Sequence, residues 1–117
     1  MFILAVGNFL TGQQLKDPPE IQDVLLGIGK KIYCPEHTYT HPVRYLWAYV
    51  NKKGRPKIIA ENRKMMMLDH GKVLFLSTVT RAKVNEINNN GGVACMLHVK
   101  SKGMLSRRIK LKIVGEG

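Results

Sequence analysis

The side chains best suited to reactive chemistry in this sequence are two cysteines and four histidines. Cys34 and Cys95 are the only thiols in the 117 residues, so they either join in a disulfide or stay reduced and buried. Two thiols do not complete a tetrahedral zinc site, and among the histidines only His37 and His41 are spaced as metal ligands often are. We therefore expect no metal and no cofactor.

Other catalytic motifs are missing from the sequence. The segment "GIGK" lacks the spacing and the following Ser or Thr of a phosphate-binding loop. No serine lies in a glycine-flanked elbow, and the acidic residues are few and scattered. Cys95 falls within an alternating segment and has no matched histidine, which argues against a nucleophile. We predict that the chain is not an enzyme.

Positive charge is the dominant feature of the composition. Nineteen Lys and Arg residues against eight Asp and Glu residues give a formal net charge of +11, which favours polyanionic partners. Heparan sulfate is one such partner, and nucleic acid is less favoured because "SRRIKLKIV" has no interleaved aromatic residues for base stacking. The alternative is solvated charge on strands and turns. Two clusters are candidate polyanion-binding residues: Lys52, Lys53, Arg55 and Lys57, and Arg107, Arg108, Lys110 and Lys112.

The elements that must position these residues are mostly strands. "VRYLWAYV" has the aromatic and β-branched composition of a strand, and "KMMMLDHGKVLFLSTV" indicates two strands joined by a turn at "DHG". "GGVACMLHVK" and "SRRIKLKIV" alternate in hydrophobicity, whereas "NKKGRPK" and "KSKGML" are predicted as turns. The only helical candidate, "TRAKVNEIN", is short, so we expect about one turn, with Ala82, Val84 and Ile87 covering a sheet end.

This pattern predicts an all-β sandwich or barrel. The 44% apolar content fits a single folded domain, and the longest apolar runs are too short to span a bilayer. We see no signal peptide, as would also be true of a mature domain or a fragment. We predict a folded domain over residues 18–117. Residues 1–17 are then a linker, the end of a preceding domain or a first edge strand.

The order of Cys34, Trp47 and Cys95 in these strands resembles the framework of immunoglobulin domains. "NNGGVAC" matches the motif Asp-x-Gly-x-Tyr-x-Cys at Gly91 and Cys95, with Asn89 in place of the aspartate and a valine in place of the tyrosine. Over residues 18–114 the chain is similar to intermediate-set domains of neural cell-adhesion molecules. "LDHGKVLFLSTVTRAKV" resembles a segment of the neuroglian, neurofascin and contactin types.

The resemblance implies an immunoglobulin-like antiparallel sandwich of two sheets with one inter-sheet disulfide. Cys34 and Cys95 would form that bond, with Trp47 packed against it. A closed loop of about 60 residues would contribute roughly 4 kcal/mol in the loop-entropy model. Asn89 would stand where the family has an aspartate paired with an arginine, for which Arg63 is the candidate here. The alternative of two reduced cysteines in a cytosolic β-protein stays open at this point.

The function implied by the resemblance is non-enzymatic recognition at the cell surface. The domain would mediate homophilic or heterophilic adhesion to other immunoglobulin-superfamily proteins, in neural development among other settings. It would be extracellular, with membrane contact only through other parts of a longer receptor. Outward candidates for such contacts are Tyr39, Met65 and Met66. The alternative function is polyanion binding, to heparan sulfate or, in the cytosol, to nucleic acid.

Overall fold

The computed structural model describes residues 18–34, 44–50, 55–99 and 102–115. Within these ranges the chain forms nine strands, which divide between two sheets, and one helix. In chain order the elements are β1 (Glu20–Val24), β2 (Lys30–Tyr33), β3 (Arg44–Val50), β4 (Pro56–Ile58), β5 (Met65–Leu68), β6 (Val73–Leu76), α1 (Arg81–Asn89), β7 (Val93–Val99), β8 (Lys102–Leu105) and β9 (Ile109–Ile113).

The larger sheet has the strand order β1-β9-β7-β3-β4, and β8 also pairs with β7. Its centre is the antiparallel pair of β3 and β7, in register from Arg44 opposite His98 to Tyr49 opposite Val93. Strand β1 joins β9 in parallel and is a strand that the sequence pattern does not identify. Only Val24 of its five residues is buried, so local hydrophobicity carries little signal for it.

The smaller sheet is antiparallel, with the order β2-β6-β5. Strands β5 and β6 form the predicted pair, and the turn at "DHG" is confirmed. Asp69 and His70 have φ angles of 53° and 59°, followed by Gly71 at 86°. Two consecutive positive φ angles match the twist of the flanking strands in a tight hairpin, and Asp and His are among the non-glycine residues that tolerate them.

The turn predicted at "KSKGML" is correct at most in part, because Lys102–Leu105 form β8 and residues 100–101 lie outside the described ranges. The C-terminal part of β7, from Met96 opposite Leu105 onward, pairs with β8. At the start of β7, Val93 pairs with Ile109 of β9. Residues 94–95 therefore face residues 106–108, which is a β-bulge with one extra residue on the second strand. The bulge also means that "SRRIKLKIV" becomes a strand only from Ile109.

The turn predicted at "NKKGRPK" is correct at most in part. Residues 51–54 lie outside the described ranges, and Pro56 already belongs to β4. Strand β4 pairs with β3 on one side and ends the order of the larger sheet. An edge strand tolerates proline because its outer edge requires no backbone N–H donor.

Helix α1 is longer than the single turn expected from "TRAKVNEIN". It runs for nine residues, and the Thr80 hydroxyl caps it by accepting a hydrogen bond from the Lys83 N–H at 3.1 Å. Val84 and Ile87 are buried as predicted, but Ala82 is exposed and covers nothing. The N-cap and the two apolar side chains at a spacing of three residues stabilise a helix that intrinsic propensity alone does not favour.

The main hydrophobic core lies between the two sheets. Inward side chains of β2, β5 and β6 meet those of β3, β7 and β9, and α1 adds its two buried residues. The predicted alternation holds in β9, where Ile109 and Leu111 are buried and Lys112 is exposed. The core members with the largest fully buried side chains include Trp47, Ile32, Met65, Leu74, Leu76 and Ile87.

Candidate functional site

The two cysteines form a disulfide between the sheets. Cys34 follows directly after β2 of the smaller sheet, whereas Cys95 lies in β7 of the larger one, and their Cα atoms are 5.4 Å apart. The Cys34 N–H donates to the Lys72 carbonyl at 2.9 Å, which extends the pairing of β2 with β6 up to the cysteine. The predicted inter-sheet disulfide is confirmed, and the alternative of two reduced cysteines is wrong.

Trp47 lies beside this disulfide in the core. It is the cross-strand partner of Cys95 and is 0% exposed. Its indole N–H donates to the carbonyl oxygen of Gly71 at 2.8 Å, in the turn between β5 and β6. Because β3 belongs to one sheet and this turn to the other, the tryptophan joins both sheets by packing and by a buried hydrogen bond.

Gly71 is the residue in the turn that allows this arrangement. Its φ of +86° suits glycine, and a Cβ atom at this position would overlap the carbonyl oxygen of Tyr45. The Tyr45 N–H in turn donates to the His70 carbonyl at 3.4 Å. The "DHG" segment is thus a backbone contact between the two sheets as well as a hairpin turn.

Ser106 supports the backbone of Cys95 from the bulge. The serine is buried, and its hydroxyl accepts from the Cys95 N–H at 2.9 Å while its own N–H donates to the Cys95 carbonyl at 2.8 Å. A bulge interrupts the regular ladder, and the serine side chain supplies the missing acceptor. This role was not predicted from the sequence, although a small polar residue between two apolar strands was the available signal.

Asn88 attaches the end of α1 to β9. Its amide nitrogen donates to the Leu111 carbonyl at 2.8 Å, and its amide oxygen accepts from the Leu111 N–H at 3.0 Å. Strand β7 pairs with β9 at Val93 opposite Ile109. Two residues further along β9, the asparagine side chain therefore takes the place of a neighbouring strand.

The predicted pairing of Asn89 with Arg63 is wrong. Both residues are exposed, and no hydrogen bond joins them in the part of the chain that the structure describes. The preceding residue, Asn88, makes the structural contact instead. Val93, which stands where the family motif has a tyrosine, is fully buried in the main core.

A second link between α1 and the larger sheet is polar. The Tyr49 hydroxyl donates to the Glu86 carboxylate at 2.6 Å, and the Lys83 ammonium lies 3.1 Å from the same carboxylate oxygen. Burial and the bond to Glu86 raise the pKa of Tyr49 well above its ordinary value. The hydrogen bond from Tyr49, followed by that from Lys83, lowers the pKa of Glu86. Both pKa shifts follow from a structural contact, because the Glu86 carboxylate is bound by Tyr49 and Lys83 of the same fold.

Comparison with solved structures supports the fold assignment. The chain superimposes on Sidekick-1 immunoglobulin domains 1–4 with a TM-score of 0.63 at 13% identity, covering 94% of this chain and 25% of that one. The BTLA ectodomain matches with a TM-score of 0.59 at 15% identity, covering 80% of this chain and 89% of that one.

The N-terminal eight immunoglobulin domains of Down Syndrome Cell Adhesion Molecule match with a TM-score of 0.57 at 12% identity, covering 80% of this chain and 13% of that one. The chain has the immunoglobulin fold. No protein-family profile and no curated protein sequence matches it, so the similarity is one of structure.

Within this immunoglobulin sandwich, the candidate basic residues do not form one patch. Arg55 and Lys57 are exposed at β4, and the other cluster belongs to the bulge and β9 at the opposite side of the larger sheet. Arg107 and Lys112 are exposed and Arg108 and Lys110 half-buried, with Lys112 in register with Asp23 of β1. Lys52 and Lys53, like Tyr39, His37, His41 and residues 1–17, lie outside the described ranges.

The outer face of the smaller sheet carries several apolar side chains, of which Val73 is buried and Leu68, Phe75 and Met66 are half-buried. Tyr33, Val73 and Leu68 form one cross-strand row, next to a row of Lys31, Phe75 and Met66. Tyr33 is 57% exposed. The inward residues of the same strands belong to the core, and one of them is Met65, so its predicted outward position is wrong.

No group of three or more His, Cys, Asp or Glu side chains that would suit a metal ion occurs among the described residues. In the same part of the chain, no helix has the length and hydropathy required to cross a bilayer.

Proposed function

We propose that this chain is an extracellular, non-enzymatic recognition domain that binds other cell-surface proteins. The observation that carries this proposal is the buried Cys34–Cys95 disulfide between the two sheets of an immunoglobulin fold. Disulfides of this kind form and persist in oxidising compartments, outside cells or in the secretory pathway. The name Down Syndrome Cell Adhesion Molecule assigns cell adhesion to one structural relative, which supports adhesion as the setting here.

The surface proposed for binding is the outer face of the β2–β6–β5 sheet. The patch consists of the exposed Tyr33 and the half-buried Phe75, Met66 and Leu68, with the exposed Lys31 at its side. Contiguous apolar surface of this kind marks interaction sites in soluble domains. Aromatic side chains of low rotamer entropy, such as tyrosine, are frequent anchors in interfaces. A partner with an apolar centre and acidic residues at its rim would complement this patch.

The test uses the oxidised domain, multimerised and fluorescently labelled, on intact neural and non-neural cells. We expect saturable binding that proteolysis of the cell surface removes. Tyr33→Ser should weaken the binding at least tenfold, as truncation of an interface anchor does. The matched control is Ile58→Ser, because Ile58 is also an exposed apolar residue but lies on β4 of the other sheet. Loss of binding with Ile58→Ser alone, or no cell binding at all, would contradict the proposal.

A bead assay with the unaltered domain and the same two variants distinguishes homophilic from heterophilic adhesion. Beads coated with the domain should aggregate if the partner is a second copy, and mixed beads should reveal a heterophilic partner. A charge of +11 on each copy opposes self-association at low salt. We therefore propose a heterophilic, acidic partner as the more favoured of the two.

Polyanion binding is a second candidate, supported by β9. Lys110 and Lys112 point to the same face of that strand, and Arg107 is exposed beside it. None of the three forms an ion pair with a described residue. Heparan sulfate, with its regularly spaced sulfates, is the proposed ligand for this face.

A heparin column tests this candidate. Lys110→Ser with Lys112→Ser should elute at lower salt than Lys64→Ser with Lys72→Ser, which removes the same charge from other parts of the surface. Equal elution of the two double variants would reduce the effect to net charge.

A further inference from the structure

The three consecutive methionines of β5 occupy different surroundings. Met65 is 2% exposed and lies in the main core, and Met67 is half-buried and packs against the same core. Met66 lies between them, so the alternation of side chains along a strand directs it to the outer face of the sheet. Among the described residues, Met66 is a member of neither hydrophobic cluster. Its thioether is therefore the one of the three that the core does not cover.

Hydrogen bonds at the outer edge of β5 hold the flanking methionines in place. The Met65 N–H donates to the side-chain oxygen of Asn62 at 2.9 Å, and the Met67 N–H donates to the Glu61 carboxylate at 2.9 Å. The Tyr49 hydroxyl also lies 3.9 Å from the Met65 sulfur. Rotation of the strand to expose Met65 or Met67 would break these bonds, so the three side chains keep their alternate directions.

The other sulfur atoms whose surroundings the structure describes are protected. Met96 is 5% exposed and belongs to the second hydrophobic cluster, with Ala94 at 0%. Cys34 and Cys95 are already joined in the disulfide, so neither is a thiol that an oxidant could attack first. Met66 is thus the most accessible oxidisable sulfur in the described part of the chain.

Met66 also belongs to the surface proposed for recognition. It is in register with Phe75 of β6, which is in register with Lys31 of β2. Oxidation of a methionine converts an apolar thioether into a polar sulfoxide. A partner with an apolar centre would bury the sulfoxide oxygen without a hydrogen-bond donor, and burial of an unpaired polar group is unfavourable.

We propose that Met66 is a site of reversible oxidation and that its sulfoxide closes the outer face of the β2–β6–β5 sheet to partners. The oxidant is a peroxide. The Met66 sulfur attacks one peroxide oxygen, the O–O bond breaks, and the second oxygen leaves as water when the oxidant is hydrogen peroxide. The sulfur loses two electrons and the peroxide gains them.

The reverse step uses a dithiol and methionine sulfoxide reductases, which regenerate the thioether and release the oxygen as water while the dithiol becomes a disulfide. The closing of the face rests on the recognition function proposed for it. The selective oxidation of Met66 does not, because it depends only on the surroundings of the methionines.

Peptide mapping tests the site. The disulfide-bonded domain is titrated with hydrogen peroxide and digested with trypsin, which releases the three methionines of β5 in the single peptide of residues 65–72. Fragmentation of this peptide in the mass spectrometer locates the sulfoxide. We expect Met66 to be oxidised severalfold faster than Met67 and about tenfold faster than Met65 or Met96, because oxidation follows exposure. In urea the four rates should become equal.

The cell-binding assay tests the closing of the face. Oxidation of Met66 should weaken binding severalfold, and methionine sulfoxide reductases A and B should restore it. Met66→Leu keeps an apolar side chain of similar volume, so this variant should bind normally before and after peroxide treatment. Met66→Gln, with a polar side chain, should bind weakly without any oxidant. The matched control is Met67→Leu, which should lose binding on oxidation as the unaltered domain does.

The outcomes separate this inference from the recognition function. Oxidation of Met65 or Met67 before Met66 would overturn the site. Full binding by the Met66 sulfoxide, in a domain that Tyr33→Ser inactivates, would overturn the closing of the face and leave recognition in place. Loss of binding by peroxide-treated Met66→Leu would do the same, since another residue would then be responsible. No cell binding by the unaltered domain would refute both.

Discussion

Replacing Asn88 by alanine should measurably destabilise the domain. The substitution removes two hydrogen bonds, at 2.8 Å and 3.0 Å, between the asparagine amide and the Leu111 backbone. Each such bond contributes about 1 kcal/mol net, so the free energy of unfolding should fall by about 2 kcal/mol. With an unfolding entropy of about 2.1 cal/mol/K per residue, the melting temperature should fall by about 8 °C. Calorimetry and urea titration measure both quantities.

The matched control is Asn89→Ala, because Asn89 is the next residue of the same helix, has the same side chain and is exposed. Its effect should stay within about 0.5 kcal/mol. Asn88→Asp separates the contributions of the two hydrogen bonds, because a carboxylate still accepts from the Leu111 N–H but cannot donate to the Leu111 carbonyl. Equal stability of the Asn88→Ala and Asn89→Ala variants would refute the role of Asn88 as a substitute strand partner.

Three further predictions concern the links between the sheets and the helix. Cys34→Ala with Cys95→Ala should lower the free energy of unfolding by roughly 4 kcal/mol, measured by urea titration against the oxidised wild type. Gly71→Ala should destabilise by more than the roughly 1–2 kcal/mol cost of a left-handed residue, because its Cβ would meet backbone. Gly27→Ala, with φ +82° and nothing within 4 Å of the added atom, should cost only that amount.

Tyr49→Phe should cost roughly 1 kcal/mol at neutral pH. The lowered pKa of its carboxylate partner on α1 means that this difference is present above about pH 4.3 and is lost as the pH falls through the lowered value. The raised pKa of Tyr49 itself means that the difference is complete below about pH 10 and is lost as the pH rises through the raised value.

Much of the sandwich was predictable because strand alternation is a local property. The inward positions of Cys34, Cys95 and Trp47 follow from alternation and from the family framework, and the structure places all three in one core. The bond from Asn88 to Leu111 joins positions 23 residues apart, and no local pattern reveals such a contact. The prediction gave the structural contact to Asn89, whereas the neighbouring Asn88 makes it. Local sequence therefore did not identify which of the two asparagines has the partner.

Other features depend on neighbours that sequence alone does not supply. "KSKGML" has the composition of a turn, yet pairing with β7 makes part of it a strand. Strand β1 is recognisable only through its parallel pairing with β9. The length of α1 reflects the burial of Val84 and Ile87 in the core. The free energy gained by this burial outweighs the weak intrinsic helix propensity of "RAKVNEINN". The outward apolar residues Ala94 and Met96 were visible in the sequence, but their burial was not.

The most direct test of the two-sheet architecture is a disulfide map of the unreduced protein. Denaturation with an alkylating agent and no reductant, followed by trypsin, should yield one species in which residues 32–44 and residues 84–100 are joined through Cys34 and Cys95. Reduction should separate this species into two peptides. Recovery of both peptides alkylated and unlinked without reductant would contradict the inter-sheet bond, and with it the extracellular recognition role proposed for this domain.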